Sequence, residues 1–392
     1  MNVLRKKIEA VMAGANKAPV MSLASVLYMI SVGYGGIQKL RGAWYRQLSS
    51  ASKRLPCKVV SVGNIAVGGT GKTPMTYYVA NRIKHFGYRV AVISRGYKGG
   101  AEKTETAVSD GQIILVGPEI AGDEPYTLAC RLRGVPVIVG RNRFAAGKLA
   151  VTTFEPDVIV LDDGFQHMKL ARDIDLVLLD YRQPFGNLHL LPRGILREPV
   201  AAMKRADAFI LTRAAGIPAT VTERLKTTAP QCPVFTSAHK PYFYRVPCQA
   251  KASLAELTDP VISNPPDFLA RRRVMAFSGI ARNDEFRQTV DNLQCHLTRV
   301  LQFPDHHLYA DSDFKSIIRA AKQTSAEFII TTEKDYARFG HRTTWPLELI
   351  VVGVRISFGK DEQDFDAFLR KRLADSDSVE SSSSSFSSST SK

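Results

Sequence analysis

The stretch that decides the fold is Ser61-Val-Gly-Asn-Ile-Ala-Val-Gly-Gly-Thr-Gly-Lys-Thr-Pro74. The short apolar run Val59–Val62 leads into it, and the pattern of Pro74–Phe86, directly after it, predicts a helix. Glycines allow a tight turn whose backbone N–H groups point inward around an anion, and the helix N-terminus adds its dipole. The glycines that permit this turn are Gly68, Gly69 and Gly71. The order strand, glycine-rich turn, helix therefore predicts a phosphate-binding loop.

The loop nearly matches the nucleotide-binding pattern G-x-x-x-x-G-K-[ST], although Ala66 stands where the first glycine is expected. In that pattern the lysine, here Lys72, bridges the β- and γ-phosphates, and the hydroxyl of Thr73 ligates Mg²⁺. The residues predicted to surround the nucleotide are Ala66, Val67, Gly68, Gly69, Thr70, Gly71, Lys72 and Thr73.

A magnesium partner is expected at the end of a neighbouring strand. The run Val158-Ile-Val-Leu-Asp-Asp163 places Asp162 and Asp163 directly after four apolar residues, at the carboxyl edge where α/β sites form. Either carboxylate could hold Mg²⁺ directly or through water. The alternative is an Asx turn that ends the strand.

ATP fits the sequence better than GTP. A guanine-reading enzyme needs the string N-K-x-D, whereas Thr332-Glu-Lys-Asp335 has its lysine directly before the aspartate. A D-x-x-G switch is also missing, since Gly164 follows the aspartate pair too early. The predicted cofactors are ATP and Mg²⁺.

Three further strings carry side chains suited to phosphoryl transfer. In Ala121-Gly-Asp-Glu-Pro-Tyr126, Asp123 or Glu124 could accept the proton of an acceptor hydroxyl, or could instead cap a helix. In Phe303-Pro-Asp-His-His307, a histidine could orient a carboxylate, or could be structural.

The third string is Leu191-Pro-Arg-Gly-Ile-Leu-Arg-Glu-Pro199. Arg193 and Arg197 are suited to clamping phosphate, and Glu198 could join the metal shell. The alternative is a solvated loop.

Composition limits the classes that remain. The chain has 392 residues, a formal net charge of +16 and 45% hydrophobic residues, which excludes a disordered, collagen-like or multi-span membrane protein. The positive charge favours an acidic partner: nucleic acid, an anionic membrane or a phosphorylated substrate. The basic residues form no aromatic-interleaved stripe, so nucleic acid is disfavoured. The five cysteines form no C-x-x-C pair, which argues against a zinc ribbon.

The uncharged run from Ala18 to Gln38 is long enough, at about 31 Å as a helix, to reach across a bilayer. Pro19 and several serines and glycines interrupt it, and basic residues flank it. We expect a membrane-associating helix lying in the interface. A true span and a helix packed on the protein body remain alternatives.

Apolar runs alternating with helical stretches predict an α/β fold. The fold class expected is a P-loop NTPase-like parallel-sheet domain plus a smaller second α/β domain, with an N-terminal membrane-associating helix. The predicted segments are 1–50 (membrane-associating), 51–231 (P-loop domain), 232–248 (two-stranded linker), 249–375 (second α/β domain) and 376–392 (disordered serine-rich tail).

Together these strings resemble the tetraacyldisaccharide 4′-kinase family, the lipid A 4′-kinases of Gram-negative bacteria. The strings that carry the resemblance are Val62-Gly-Asn-Ile, Val67-Gly-Gly-Thr-Gly-Lys-Thr-Pro74, Ser94-Arg-Gly-Tyr-Lys98, Ala121-Gly-Asp-Glu-Pro-Tyr126, Leu161-Asp-Asp-Gly-Phe-Gln-His167, Leu196-Arg-Glu-Pro199, Phe277-Ser-Gly279, Phe303-Pro-Asp-His306 and Thr332-Glu-Lys-Asp335. The resemblance implies a two-lobed kinase on the cytoplasmic face of the inner membrane. It would transfer the γ-phosphate of ATP to the 4′-hydroxyl of a tetraacyldisaccharide 1-phosphate, giving lipid IVA.

The resemblance also implies site residues and partners. It assigns the catalytic carboxylate to Asp123, working with His306, alongside Lys72. The Mg²⁺ ligands it implies are Thr73, Asp162 and Asp163, with Glu198 nearby. The expected partners are a lipid A disaccharide precursor and an anionic membrane surface, with no nucleic acid and no obligate protein partner.

Two other classes of function stay open at this point. One is a P-loop NTPase acting as a regulatory or chaperone-type switch on a partner protein, because a fold alone does not fix function. The other is a membrane-surface binding protein without catalysis.

Overall fold

The structure is a computed structural model. It describes residues 7–8, 10–12, 14, 22–47, 52–97, 99–214, 216–257, 260–262, 266–340 and 342–375. Most of the predicted 1–50 segment before residue 22, and the whole predicted tail 376–392, lie outside the described residues.

The strands of the described chain alternate with helices for most of its length. The strands are β1 (Lys58–Asn64), β2 (Val90–Ser94), β3 (Thr106–Ser109), β4 (Val137–Val139), β5 (Val158–Asp162), β6 (Ile174–Asp180), β7 (Ala208–Thr212), β8 (Val234–Val246), β9 (Arg273–Ser278), β10 (His296–Gln302), β11 (Phe328–Thr332) and β12 (Glu348–Ser357). The α-helices are α1 (Leu23–Gln47), α2 (Lys72–His85), α3 (Pro118–Ala121), α4 (Asp123–Arg131), α5 (Arg143–Phe154), α6 (Ala219–Thr228), α7 (Asn283–Asp291), α8 (Asp311–Gln323), α9 (Glu333–Phe339) and α10 (Glu362–Asp375).

Contacts divide the chain into two units that are not contiguous in sequence. The first is Met1–Val90, Gly147–Ala238 and Ser357–Lys392, and the second is Ala91–Ala146 and His239–Ile356. This differs from the predicted boundaries, which placed residues 91–146 in the P-loop domain and α10 in the second domain. Apolar runs of similar composition occur throughout the chain, so the sequence pattern could not assign each run to its unit.

The first unit is built on parallel strands in the order β8, β7, β6, β1, β5. Strand β1 lies between β5 and β6, and it is buried from Val59 to Asn64. Parallel strands covered on both faces are expected to read as near-continuous apolar runs, and β5 and β7 do so up to their last residue. The central position of β1 places the loop that follows it at the carboxyl edge of the sheet.

The second unit contains two groups of strands. Strands β10, β9, β11 and β12 are parallel in that order. Strand β2 pairs in parallel with β4, and β4 pairs antiparallel with β3. Strand β3 was not predicted, since its four residues carry little apolar pattern. The α/β class with a mostly parallel arrangement is confirmed.

The predicted two-stranded linker at 232–248 is instead one continuous strand, β8, of 13 residues. The sequence suggests two separate strands, Cys232–Ser237 and Tyr242–Val246, in a region where prolines recur. Proline fixes φ at a value compatible with extended chain, and it only removes an N–H donor. The last pair between β7 and β8 joins Thr212 to Ser237, and Pro241 lies beyond it. The pairing of these two strands therefore loses no hydrogen bond at Pro241.

Helix α1 packs on the first unit through a narrow stripe of small and apolar side chains. Leu27, Ser31 and Gly35, four residues apart, are the buried positions. The Tyr34 hydroxyl donates to the Arg197 carbonyl at 2.8 Å. The exposed side chains of α1 are mainly large and apolar: Leu23, Val26, Tyr28, Met29, Ile30, Val32, Ile37, Leu40 and Trp44. No helix within the described ranges is both long and apolar enough to span a membrane.

Candidate active site

The glycine-rich loop of the first unit joins β1 to α2. Its residues Gly68 and Gly71 have positive φ angles of 120° and 85°, which a residue with a Cβ rarely adopts. Gly71 is the N-cap of α2, whose first turn has no acidic residue. The helix therefore begins at Lys72, two residues earlier than predicted, and its positive end faces the loop.

Hydrogen bonds from neighbouring segments fix the shape of the loop. The Asn64 side-chain amide donates to the Thr70 hydroxyl at 2.9 Å, and both residues are buried. The Val67 N–H donates to the Ile195 carbonyl at 2.7 Å. Arg213 donates to the Gly69 carbonyl at 2.8 Å. A loop held in this way is organised before it meets a phosphate, and its donor chemistry fits a nucleotide.

Asp162 and Asp163 follow the loop on the adjacent strand, as predicted. Asp162 ends β5, is almost fully buried and accepts a hydrogen bond from the Thr76 hydroxyl at 3.1 Å. Asp163 has a positive φ of 55°. Its carboxylate lies 3.6 Å from the Lys72 ammonium and 2.9 Å from the Arg197 guanidinium. The structure therefore brings Asp163 beside the loop lysine and Asp162 against helix α2, which follows the loop.

Oxygen donors of the kind Mg²⁺ prefers are thus present beside the loop, since Thr73 lies in the first turn of α2. Within the described part of the chain, no group of three or more His, Cys, Asp or Glu side chains is arranged to hold a metal ion. A magnesium site here would draw on the nucleotide and water for its remaining ligands, as Mg²⁺ commonly does.

Glu198 forms an ion pair in the structure. It is nearly fully buried, and its two carboxylate oxygens accept hydrogen bonds from Arg205 at 3.1 and 2.9 Å. The Arg205 guanidinium also lies over the Phe165 ring, 4.3 Å from its centroid. The contacts of Glu198 are those of a structural ion pair, and its place in a metal shell stays a prediction.

Arg193 and Arg197 have different hydrogen-bond partners. Arg197 pairs with Asp163, as described above. Arg193 is buried and donates to the Val11 carbonyl at 2.7 Å and the Gly14 carbonyl at 3.1 Å. These contacts with the N-terminal segment show a structural role for Arg193, which the sequence offered as a phosphate clamp.

The second unit brings Asp123 and His306 together, although 183 positions separate them in sequence. Asp123 is the first residue of α4, and Gly122, with φ 85°, precedes it as N-cap. Nδ1 of His306 lies 2.7 Å from Oδ2 of Asp123. His306 has a positive φ of 62° in the segment after β10, and its N–H donates to the Gly279 carbonyl at 3.2 Å.

A third residue of this site, Arg338 on α9, was missed by sequence reasoning. Its Nε donates to Oδ2 of Asp123 at 2.8 Å. Arg338 belongs to none of the recognised strings; the only signal was its place three residues after Asp335. The string Thr332–Asp335 itself is structural, since the Thr332 hydroxyl caps α9 by accepting from the Asp335 N–H.

Two opposing effects set the charge state of Asp123. Burial raises the pKa of its carboxyl group, while the hydrogen bond with His306 and the positive charge of Arg338 lower it, and the net pKa lies below the ordinary value. Asp123 is therefore ionised at neutral pH and can accept a proton. Glu124, the alternative base, is half exposed and pairs with the Lys334 ammonium at 3.3 Å.

A glycine-rich loop at a helix N-terminus, with paired aspartates on the adjacent strand, defines a nucleotide-binding α/β enzyme of the P-loop class. The second unit adds an ionised carboxylate paired with an imidazole. A sequence profile described as tetraacyldisaccharide-1-P 4′-kinase, LpxK, matches residues 23–374, and the chain belongs to this family.

Individual relatives agree with the profile. The tetraacyldisaccharide 4′-kinase of Desulfatibacillum aliphaticivorans is 38% identical, over 95% of this chain and 99% of the relative. That of Pelobacter propionicus is 41% identical, over 81% of this chain and 83% of the relative. A crystal structure of LpxK from Aquifex aeolicus in complex with ATP is 31% identical, with a TM-score of 0.68, and it covers 90% of this chain and 100% of that one.

The chain is thus a kinase of lipid A biosynthesis that uses ATP. The comparisons favour this function over a regulatory switch on a partner protein.

Proposed function

We propose that the chain transfers the γ-phosphoryl group of ATP to the 4′-hydroxyl of a tetraacyldisaccharide 1-phosphate, with Mg²⁺, at the cytoplasmic face of the inner membrane. The product would be lipid IVA. The observation that carries the assignment of residues is the 2.7 Å contact between Asp123 and His306, in a chain whose family profile matches from residue 23 to residue 374.

The phosphate loop of the first unit supplies the electrostatic part of the mechanism. Lys72, at the start of α2, and the loop N–H groups stabilise negative charge on the transferring phosphoryl group. Thr73 and the aspartate pair Asp162 and Asp163 would hold Mg²⁺, which neutralises charge on the phosphate oxygens when bound.

Asp123 of the second unit supplies the proton acceptor. Its lowered pKa keeps the carboxylate ionised near neutral pH, and His306 holds it at Oδ2. A base in phosphoryl transfer has to orient the acceptor hydroxyl and take its proton, and the loose transition state makes only modest demands on base strength. A weakly basic, well-positioned carboxylate fits that task.

Helix α1 supports the proposed membrane location. One stripe of the helix packs on the first unit, while Met29, Ile37, Leu40 and Trp44 are each more than half exposed. A helix that exposes large apolar side chains beside basic residues is suited to the membrane interface, where acyl chains of a lipid substrate remain.

The experiment that tests the function is phosphate transfer from γ-labelled ATP to a lipid A precursor disaccharide in detergent. We expect label in the lipid with the wild-type chain. Asp123→Asn should lose turnover by about 10²-fold or more while still binding ATP, because only the proton acceptor is removed. Lys72→Ala should lose both turnover and ATP affinity.

Glu124→Gln is the matched control, since it neutralises the adjacent carboxylate, which pairs with Lys334 on the surface. It should keep its turnover. Normal turnover of Asp123→Asn would remove Asp123 as the base. Release of inorganic phosphate that depends on an added protein, with no labelled lipid, would favour the regulatory NTPase instead.

A further inference from the structure

We propose that Arg338 is a positioning residue for the reaction: it fixes one oxygen of Asp123, so that the other oxygen is presented to the acceptor hydroxyl. This inference rests on the proposed role of Asp123 as proton acceptor and extends it to a residue on a different helix.

Arg338 is itself rigidly held. Its side chain is 4% exposed, and it links two carboxylates of the second unit. Nε donates to Oδ2 of Asp123 at 2.8 Å, while Nη1 donates to Oδ1 of Asp335 at 2.8 Å and to the Gly279 carbonyl at 3.1 Å. A guanidinium group is planar, so fixing Nη1 also fixes the direction of Nε.

Asp335 holds the Arg338 guanidinium in place. Its side chain is fully buried and accepts several hydrogen bonds besides the one from Arg338. The other donors are the Thr332 hydroxyl at 2.6 Å, the Tyr309 hydroxyl at 3.0 Å and the Gly279 N–H at 3.1 Å. With four partners, Asp335 cannot turn away, and Arg338 keeps its orientation.

As a consequence, the two oxygens of the Asp123 carboxylate have different surroundings. Within the described part of the chain, the donors to this group, His306 Nδ1 and Arg338 Nε, both lie on Oδ2. Rotation of the carboxylate would break both bonds. Oδ1 is therefore the oxygen left to accept the proton of a substrate hydroxyl.

Arg338 also affects when Asp123 is ionised. The carboxylate is largely buried, which by itself would raise its pKa, and the Arg338 charge is one of the two influences that reverse this. Among the described residues, other charged or titratable groups around the site are the Glu124–Lys334 pair, Asp305 at 3.7 Å from His306 Nε2, Tyr97 beside the His306 ring with Arg95 over it, Asp335 and Tyr309. Among the groups around the site, Arg338 is the guanidinium that contacts the Asp123 carboxylate directly.

The test is the dependence of kcat on pH in Arg338→Lys. Lysine keeps a positive charge but cannot contact both carboxylates in the same planar geometry. We expect kcat to fall at neutral pH and the acid limb of the profile to move up by less than about one pH unit, because a positive charge stays nearby while the Nε hydrogen bond that also lowers the Asp123 pKa is lost. The KM for ATP should stay unchanged. The acid limb reports the Asp123–His306 pair as a whole.

A second variant covers the case in which Arg338→Lys does not fold. The double variant Arg338→Gln with Asp335→Asn removes the arginine charge together with that of its fully buried partner, so Asp335 is not left as an unpaired charge. It should show a larger shift of the acid limb in the same direction.

Arg131→Lys is the matched control. Arg131 is also an arginine that joins α4 to α9, through Glu333 at 3.6 Å; its side chain is 10% exposed, and this ion-pair partner is not Asp123. Its pH profile should match the wild-type profile.

The outcomes separate this inference from the proposed function. If Asp123→Asn is inactive and the Arg338 variants lose stability without a shift of the acid limb, Arg338 is only structural and the inference is wrong. If Asp123→Asn is fully active, the base assignment fails, and the inference fails with it.

Discussion

Asp162 and Asp163 are neighbours in the sequence with very different surroundings. Asp162 is buried at the end of a strand and bound by a hydroxyl, whereas Asp163 has a left-handed backbone and lies between two cations, Lys72 and Arg197. The change of backbone direction at Asp163 turns its carboxylate toward the loop lysine. Single residues thus decide which carboxylate balances the lysine charge and which is held by the core.

The role of the Glu198 side chain can be tested by a single substitution. If its role is the ion pair with Arg205, Glu198→Gln should lower the free energy of unfolding by about 1–3 kcal/mol, since a nearly buried charged partner is lost. The Mg²⁺ concentration that gives half-maximal turnover should stay as in the wild type. Denaturant unfolding and a magnesium titration measure the two quantities.

Asp162→Asn serves as the comparison, because it changes a carboxylate beside the phosphate loop and should raise the magnesium requirement. A raised requirement in Glu198→Gln, with unchanged stability, would instead place Glu198 in the metal shell.

At the scale of elements, the start of α2 couples backbone geometry to phosphate binding. Gly71 has φ 85° and is the N-cap of the helix, and Gly87 has φ 97° just beyond the other end. A Cβ costs roughly 1–2 kcal/mol in the left-handed region, whatever the space around it. The two glycines therefore carry similar strain but lie at opposite ends of the helix.

We expect Gly71→Ala and Gly87→Ala to lower stability by similar amounts, but only Gly71→Ala to weaken ATP binding. The reason is that relief of strain at Gly71 would rotate the N–H groups that face the phosphates. Nothing lies within 4 Å of a Cβ at Gly87, so that variant reports the backbone cost alone. Calorimetric titration with ATP and thermal unfolding make the comparison, and equal ATP affinity in both variants would contradict it.

At the scale of the whole molecule, net charge and apolar exposure act together. The chain carries a formal net charge of +16, and α1 exposes a set of large apolar side chains. Positive charge attracts an anionic lipid surface over roughly a Debye length, while apolar side chains bind only on contact. The two contributions can be separated by salt.

We expect the chain to sediment with vesicles containing anionic lipid, and less so as salt rises, because screening removes the charge attraction. Met29→Ser with Leu40→Ser should weaken this binding at all salt concentrations without a change in thermal unfolding, since both side chains are 74% exposed. Leu308→Ser is the control, as Leu308 is 81% exposed but lies outside α1. If the wild-type chain, the Met29→Ser with Leu40→Ser variant and the Leu308→Ser variant bind the vesicles equally, α1 does not contact the membrane.

The sequence by itself determined the features that are local along the chain. The strand β1, the glycine turn and helix α2 lie within the consecutive residues 58–85, and the aspartate pair directly follows the apolar run of β5. Each could be predicted because its pattern depends on near neighbours. The α/β class and the family strings were predictable for the same reason.

Only the tertiary structure decided which distant residues meet. Arg338 lies 215 positions from Asp123, the ion-pair partner of Glu198 is Arg205, and residues 91–146 belong to the second unit. No local pattern records such contacts, because they follow from how the strands order themselves in the sheets and from which buried charge each cation can reach.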